Sequence, residues 1–470
     1  MEQLFLEDNL WHGGVFLDDE MFRKIIQPSF ERMPSRKPDK LYLPMKMKND
    51  SSCRVSVSVG EYVEQYGIVG IREGTSAQDY HVVRTDLPGY VAGISREQTG
   101  YRTYEEYVEL RVCDRERSER QKYFPCSEKA DDPAEIREVL MESGIPGINR
   151  ILFDGEKQRK CDVIILNAVM DDPSLMFDTM MIKERPGQLL YGLLIFLRMM
   201  GAEKIMVVAG KRQQNDIKRL IDAAYKFFTA EIRDIISFIF VPDLYPGGRD
   251  EMVRQNMTEW IKGRTWVILH VDQVMGVYDM VYDHRPWTRR RFLLGGCMPV
   301  NGFYELPIGM ALKDTIKLLK SPWLRASGIL INGGLMAGYT MNPANAVVDS
   351  GMCSLLILPR IEENEHPCLK CSRCADICPV GIIPWEGRHG ADLSECLGCG
   401  SCSYICPSRR RLKEYVQRGG RPDMDDSRGN YIELPEIDCP LPSVMVTGYS
   451  SPYIRRAGSP FTCILSPFKL

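Results

Sequence analysis

The 470-residue chain has only six histidines, His12, His81, His270, His284, His366 and His389, and no two stand at the helical spacing of a metal-ligand pair. A histidine-built metal centre is therefore not expected. Nor is a Ser/His/Asp or Cys/His nucleophile suggested anywhere. Long apolar runs are missing too: the longest, Leu189 to Met200, is broken by Arg198 and is far shorter than the roughly 20 residues of a membrane helix. The opening stretch MEQLFLEDNLWHGG is acidic and has no apolar signal core. A cytoplasmic chain with no direct membrane span is expected, any membrane contact being made through partners. Charge of one sign is also lacking. Lys plus Arg number 60 and Asp plus Glu 63, a net charge of −3, so nothing global draws the chain to nucleic acid or to an anionic membrane. No solenoid-scale repeat is present.

Cysteine, by contrast, is abundant. Of 16 cysteines, Cys368, Cys371, Cys374, Cys378, Cys396, Cys399, Cys402 and Cys406 fall within 39 residues. The other eight, Cys53, Cys113, Cys126, Cys161, Cys297, Cys353, Cys439 and Cys463, are scattered and lack ligand spacing. Clustering of this kind, without a secretory leader, points to a reducing compartment in which thiols are ligands or apolar fillers.

Patterning divides the chain. Residues 1–40 read as an irregular N-terminal arm. Residues 41–95 alternate and are punctuated by glycine, which reads as a small β unit. From 134 to 285, buried-strand runs such as CDVIILNAV, KIMVVAG, FIFVPDL and TWVILHV alternate with amphipathic helices, the pattern of a mostly parallel α/β sheet. Residues 286–325 read strand–strand–helix, a β-grasp-like insert, and 326–362 as strands returning to the core. The cysteine module covers 363–420. Residues 421–470, rich in Pro, Ser and Gly, read as a tail that is mobile or wrapped on a partner. The expected fold is multidomain α/β and α+β.

CLKCSRCADICP spaces its cysteines by 3, 3 and 4 and ends at Pro379; CLGCGSCSYICP repeats this and ends at Pro407. This is the two-cluster ferredoxin spacing, in which the fourth cysteine of each run ligates the other cluster. It assigns one [4Fe–4S] cluster to Cys368, Cys371, Cys374 and Cys406, and a second to Cys396, Cys399, Cys402 and Cys378. Structural zinc is the alternative, but it favours two separated pairs over three cysteines in one turn. Two basic runs, Arg289–Arg291 and Arg409–Arg411, ordinarily mark a solvated face. The second directly follows Cys406 and is a candidate docking patch for an acidic ferredoxin, a flavodoxin or a partner subunit.

The order of parts is an arm with Gly13 and Gly14, the β unit, the α/β region, the insert, a GGLMAG turn and two ferredoxin motifs. That order resembles the RnfC family, a component of the Rnf ferredoxin:NAD oxidoreductases that is related to cobalamin reductases and to proline-reductase electron-transfer proteins. The resemblance covers about residues 10–415. It implies a lipoyl-like β unit, an α/β domain similar to the flavoprotein subunit of complex I, a β-grasp insert and membership of a multisubunit complex. It also implies FMN, held by a loop of the form GxxGxGGAxFP, which here reads GIPGINRILFDG. Gly144, Gly147 and Phe153 remain, whereas Asn149 and Arg150 replace the paired glycines and would fill the space in which backbone approaches a flavin. The family's acidic NxxExEP segment becomes NAVMDDP, which keeps Asn167, Asp172 and Pro173 but has Met170 at the first acid. A flavin-contacting asparagine falls at about Val271. The expectation is an iron–sulfur electron-transfer subunit relaying single electrons between a ferredoxin, flavodoxin or flavoprotein and a catalytic subunit, with a degenerate FMN/NADH site. An FMN-dependent NADH dehydrogenase subunit and an assembly scaffold with structural clusters are the rival readings.

Overall fold

The computed structural model describes residues 1–8, 11–17, 29–30, 37–46, 52–73, 80–98, 104–113, 132–155, 157–296, 301–314, 328–341, 346–359, 365–385 and 393–417. The tail expected at 421–470 lies outside them, as do Cys126, Cys297, Cys439 and Cys463.

A five-stranded, wholly parallel sheet has the order Glu2–Phe5, Ile236–Val241, Lys204–Gly210, Val163–Asn167, Trp266–His270. Its central strands are apolar at nearly every position because both faces are covered. Ile164, Leu166, Ile205, Val207, Phe238 and Phe240 pack under helices Pro186–Met200, Gln214–Phe227 and Val271–Val281. Ile165, Val208, Ile239 and Val241 face the opposite side, under helices Asp250–Asn256 and Thr258–Ile261. Helix Pro186–Met200 begins on a proline and stops at Gly201, whose φ of +65° only glycine adopts freely.

The arm is not irregular throughout. Glu2–Phe5 is the edge strand of the parallel sheet, paired with Ile236–Val241. Four residues bounded by acids carry too little alternation to be read as a strand, and their partner lies more than 200 residues away.

The β region also differs from expectation. Strand Gly89–Gln98 runs through the boundary set at 95 and pairs with Tyr104–Val112 in a four-stranded sheet with Lys40–Lys46 and Tyr62–Val63. Ser52–Val55, Ile68–Glu73 and Tyr80–Arg84 form a second, three-stranded sheet. The strands of 286–325 and those of 326–362 are not separate units. Arg289–Gly296, Gly302–Pro307, Gly328–Asn332, Tyr339–Met341 and Ser354–Pro359 belong to one six-stranded mixed sheet, and none rejoins the parallel sheet. Leu41, Leu43, Val108 and Leu110 share a core with Phe292, Leu294, Tyr304 and Leu355, so the β unit and the mixed sheet bury one another's apolar faces.

Arg289–Arg291 is likewise no solvated run. Alternation along a strand turns Arg290 inward, where it is 2% exposed. It pairs with Asp272 at 3.0 Å, donates to the Met352 carbonyl at 2.6 Å, and lies about 5 Å from the Phe177 and Trp287 rings. Arg289 pairs with Asp86 at 2.7 Å, and Arg291 with Glu305 at 2.9 Å and Asp279 at 3.2 Å. The triplet is a pin between the mixed sheet, the β unit and the α/β layer.

Candidate functional site

The cysteine motifs fold as two copies of one turn. In the first, Lys370 and Ser372 take positive φ values of 54° and 58°; in the second, Gly398 and Gly400 take 62° and 84° at the equivalent places. Left-handed residues at alternate positions aim backbone N–H groups inward. The Lys370 and Gly398 amides each lie 3.4 Å from a sulfur, of Cys368 and Cys396 respectively. Each turn then starts a short helix, Arg373–Asp376 or Ser401–Ile405. Ser372 is tolerated because it is exposed. Gly400 is not free to vary, since a Cβ there would overlap the Met336 carbonyl oxygen of the GGLMAG turn.

Two cavities lie in this module. One is bordered by Cys378, Cys396, Cys399 and Cys402, with Pro379, Gly400 and Lys413. The other is bordered by Cys368, Cys371, Cys374 and Cys406, with Trp385 and Arg410. The fourth cysteine of each run thus borders the cavity of the other run. Among the described residues, no three His, Cys, Asp or Glu side chains converge as they would on a single metal ion. The sulfurs surround a volume instead. Burial pushes the Cys374 thiol up to about 11 and that of Cys402 up to about 12, each raised further by neighbouring cysteines. Eight cysteines in two sets of four are a donor set that suits two iron–sulfur cores.

The two cavities differ in exposure. Cys368 and Cys371 are exposed, as is Leu369 between them, whereas Cys399 is buried. The Cys399 side faces the α/β body: Tyr245 donates its hydroxyl to the Cys399 carbonyl at 2.5 Å. The arm grips the same region. Gly14 donates to the Ile377 carbonyl at 3.0 Å, and a Cβ on Gly13 (φ +78°) would meet that oxygen at 2.6 Å. Of the candidate docking arginines, Arg409 is exposed and Arg410 half-buried, while Arg411 is committed to Glu365 at 3.0 Å.

The candidate flavin residues make several contacts within the chain. Gly144 (φ +77°) lies where a Cβ would be 2.9 Å from the Val82 carbonyl, so this glycine serves close packing on strand Tyr80–Arg84. Gly147 (φ +71°) caps the short helix Ile148–Leu152. Asn149 is buried and donates to the Tyr80 carbonyl at 2.9 Å; Arg150 is exposed. Asp172 is buried, but its oxygens accept from the Ser174 amide and hydroxyl and from the Met336 amide, which ties the α/β layer to the GGLMAG turn.

A parallel sheet binds ligands where strand order reverses, outside the carboxyl ends of the strands. Here that point lies between Asn167 and His270, which are register partners. Asp250 bridges them: Oδ1 accepts from Asn167 Nδ2 at 2.9 Å, and Oδ2 lies 3.2 Å from His270 Nε2. One strand over, buried Gln213 accepts from the Met170 and Gly210 amides and donates to the Ala168 carbonyl and the Thr179 hydroxyl. The chain's own side chains therefore satisfy the polar groups at the strand ends. Neither Gln213 nor Asp250 stands out in sequence, where both read as ordinary surface-helix residues.

This network titrates. Burial pulls the His270 imidazole down, but the Asp250 hydrogen bond and charge outweigh it, with Asp272 and Asp178 adding, and lift it to about 9. Burial and the Asp272 charge raise Asp178 to about 7 against His270 and Arg290. Both groups hold their protons longer folded than unfolded, so each contribution is complete below its unfolded pKa and is lost as pH rises through its folded one. Stability should therefore fall from about pH 4 to 7 through Asp178 and from about pH 6.5 to 9 through His270. Denaturant midpoints should show the upper slope flattened in His270→Gln and the lower in Asp178→Asn; unchanged slopes would contradict the assignment.

A parallel α/β body joined to a cysteine module of this geometry defines a class. Residues 145–273 match the Nuo51 FMN-binding domain and residues 367–410 the 4Fe-4S dicluster domain, which carries two [4Fe–4S] clusters. The chain is 25% identical over 285 residues to cobalamin reductase PduS of Salmonella typhimurium, covering 54% of this chain and 59% of that one. It is 23% identical over 271 residues to a component of the proton-translocating ferredoxin:NAD(+) oxidoreductase complex of Clostridium ljungdahlii, covering 53% and 57%. Against a component of the ion-translocating oxidoreductase complex of Edwardsiella ictaluri, identity is 24% over 402 residues, covering 80% and 48%. The chain thus spans roughly half to three-fifths of the length of these relatives. Together these homologues support an RnfC-like family for the chain. An NAD+-reducing [NiFe]-hydrogenase chain superimposes with a TM-score of 0.42 at 16% identity, covering 62% of this chain and 53% of that one. Among the described residues no helix is long and apolar enough to cross a membrane.

Proposed function

We propose that this chain is an iron–sulfur electron-transfer subunit of a multisubunit oxidoreductase. Cys368, Cys371, Cys374 and Cys406 would hold one cluster, and Cys396, Cys399, Cys402 and Cys378 the other. The observation that carries the reading is the pair of cavities, each bordered by four cysteines drawn from both motifs. When bound, the clusters supply one-electron redox chemistry. The protein's own part is to hold the sulfurs, aim the Lys370 and Gly398 amides at them and keep water from the Cys399 side. The exposed side, with Leu369, Arg409 and Arg410, is the docking face for an acidic ferredoxin, flavodoxin or partner subunit. Charge reversal at Arg409 and Arg410 should flatten the salt dependence of electron transfer; an unchanged dependence would remove the patch from the reading.

The α/β body serves as scaffold and docking frame with a degenerate FMN/NADH site. Asn149, Gln213 and Asp250 support this by bonding to the chain's own groups, the latter two at the strand ends. The β unit is lipoyl-like and the insert β-grasp-like in this reading. The Nuo51 match favours the rival, an FMN-dependent NADH dehydrogenase subunit. Anaerobic purification with iron, sulfide and acid-extractable flavin quantified, followed by NADH and dithionite titration under EPR, separates them. The expected result is two clusters reduced by dithionite, substoichiometric flavin and no reduction by NADH. Stoichiometric FMN with NADH-reducible clusters would overturn it, and clusters that no physiological potential reduces would favour a structural scaffold.

A further inference from the structure

Lys413 lies on helix Leu412–Gln417, outside both cysteine motifs, yet it borders the cavity of Cys378, Cys396, Cys399 and Cys402. Its position is fixed at both ends. The backbone amide donates to the Ser403 hydroxyl at 2.8 Å, and Nζ donates to the Gly338 carbonyl at 2.9 Å. Its stem passes Gly400, where a Cβ would meet the Lys413 Cδ at 3.6 Å. A lysine on this surface has no need to be tethered across to the GGLMAG turn. Two cations border the other cavity, Arg373, which is exposed, and Arg410, which is half-buried.

We propose that Lys413 is a positioning residue that raises the reduction potential of the cluster in the Cys378/Cys396/Cys399/Cys402 cavity. The inference rests on the proposed ligand sets. Reduction adds one negative charge to the core, and a fixed positive charge beside it stabilises the reduced form.

The test uses the full chain, reconstituted anaerobically, as wild type, Lys413→Gln and Lys413→Arg, with iron and sulfide counted before an EPR-monitored redox titration. In Lys413→Gln one of the two steps should move down by about tenfold in oxidised-to-reduced ratio, or about 59 mV for one electron. The other step should stay in place, and Lys413→Arg should hold close to wild type. Two full clusters with both steps unmoved would overturn the role of Lys413 while leaving the ligand sets standing. Loss of one cluster's iron in Lys413→Gln would overturn it as well, because the residue would then build the site and not tune it. A wild-type chain that fails to take up two clusters would instead overturn the reading on which the inference rests.

Discussion

Replacing Cys378 and Cys399 together by alanine should remove half of the reconstituted iron, no more than either change alone. Replacing Cys406 and Cys399 together should remove all of it. The asymmetry follows from which cavity each side chain borders: Cys378 and Cys399 share one, whereas Cys406 borders the other. If each motif instead held its own cluster, Cys406 and Cys399 would share a site and Cys378 would not, and the two outcomes would exchange. Iron and sulfide counts decide between them without any assay of activity. The effect is large because a four-thiolate site that loses one ligand leaves an open coordination position and three mutually repelling sulfurs.

The second large effect is expected far from the clusters. Arg290→Met removes a guanidinium that pairs with Asp272, holds the Met352 carbonyl and lies between two aromatic rings. Breaking one side of a buried ion pair costs about 3–5 kcal/mol. The Asp272 side chain retains 23% exposure, so the lower end of that range applies. At roughly 2–4 °C per kcal/mol, the first calorimetric transition should fall by about 6–12 °C. A chain of this size need not unfold in one step, so the first transition is the quantity to follow. Arg290→Met combined with Asp272→Leu should recover most of the loss, because no unpaired charge remains. A single variant as stable as wild type would show that the pair contributes little.

The cluster module was legible in the sequence because its ligands are local. Three cysteines in seven residues specify a turn with little help from elsewhere. The parallel sheet was legible for a similar reason, since strands covered on both faces read as unbroken apolar runs, as in Val163–Asn167 and Ile236–Val241. What escaped depends on distant partners. Nothing in RRR distinguishes an inward Arg290 from a solvated one until Asp272 is in place. Nothing in DEMVRQN marks Asp250 as the residue that fills the switch point. Glu2–Phe5 has no strand pattern of its own and is held in register by Ile236–Val241. The departures from the glycine-rich loop could be read, but that Gly144 packs on strand Tyr80–Arg84 could not.

The arm carries a consequence for the order of events during synthesis. Residues 2–5 have their partner strand at 236–241, and Gly13 and Gly14 have theirs at Ile377 and Cys378. At about 5–20 residues per second, a ribosome takes on the order of 20–75 s to pass from the arm to the cysteine motifs. For that interval the edge of the sheet can close, but the glycine grip cannot. Cluster insertion and the docking of the arm therefore meet only once the cysteine motifs have been made, when the earlier segment is given something to hold.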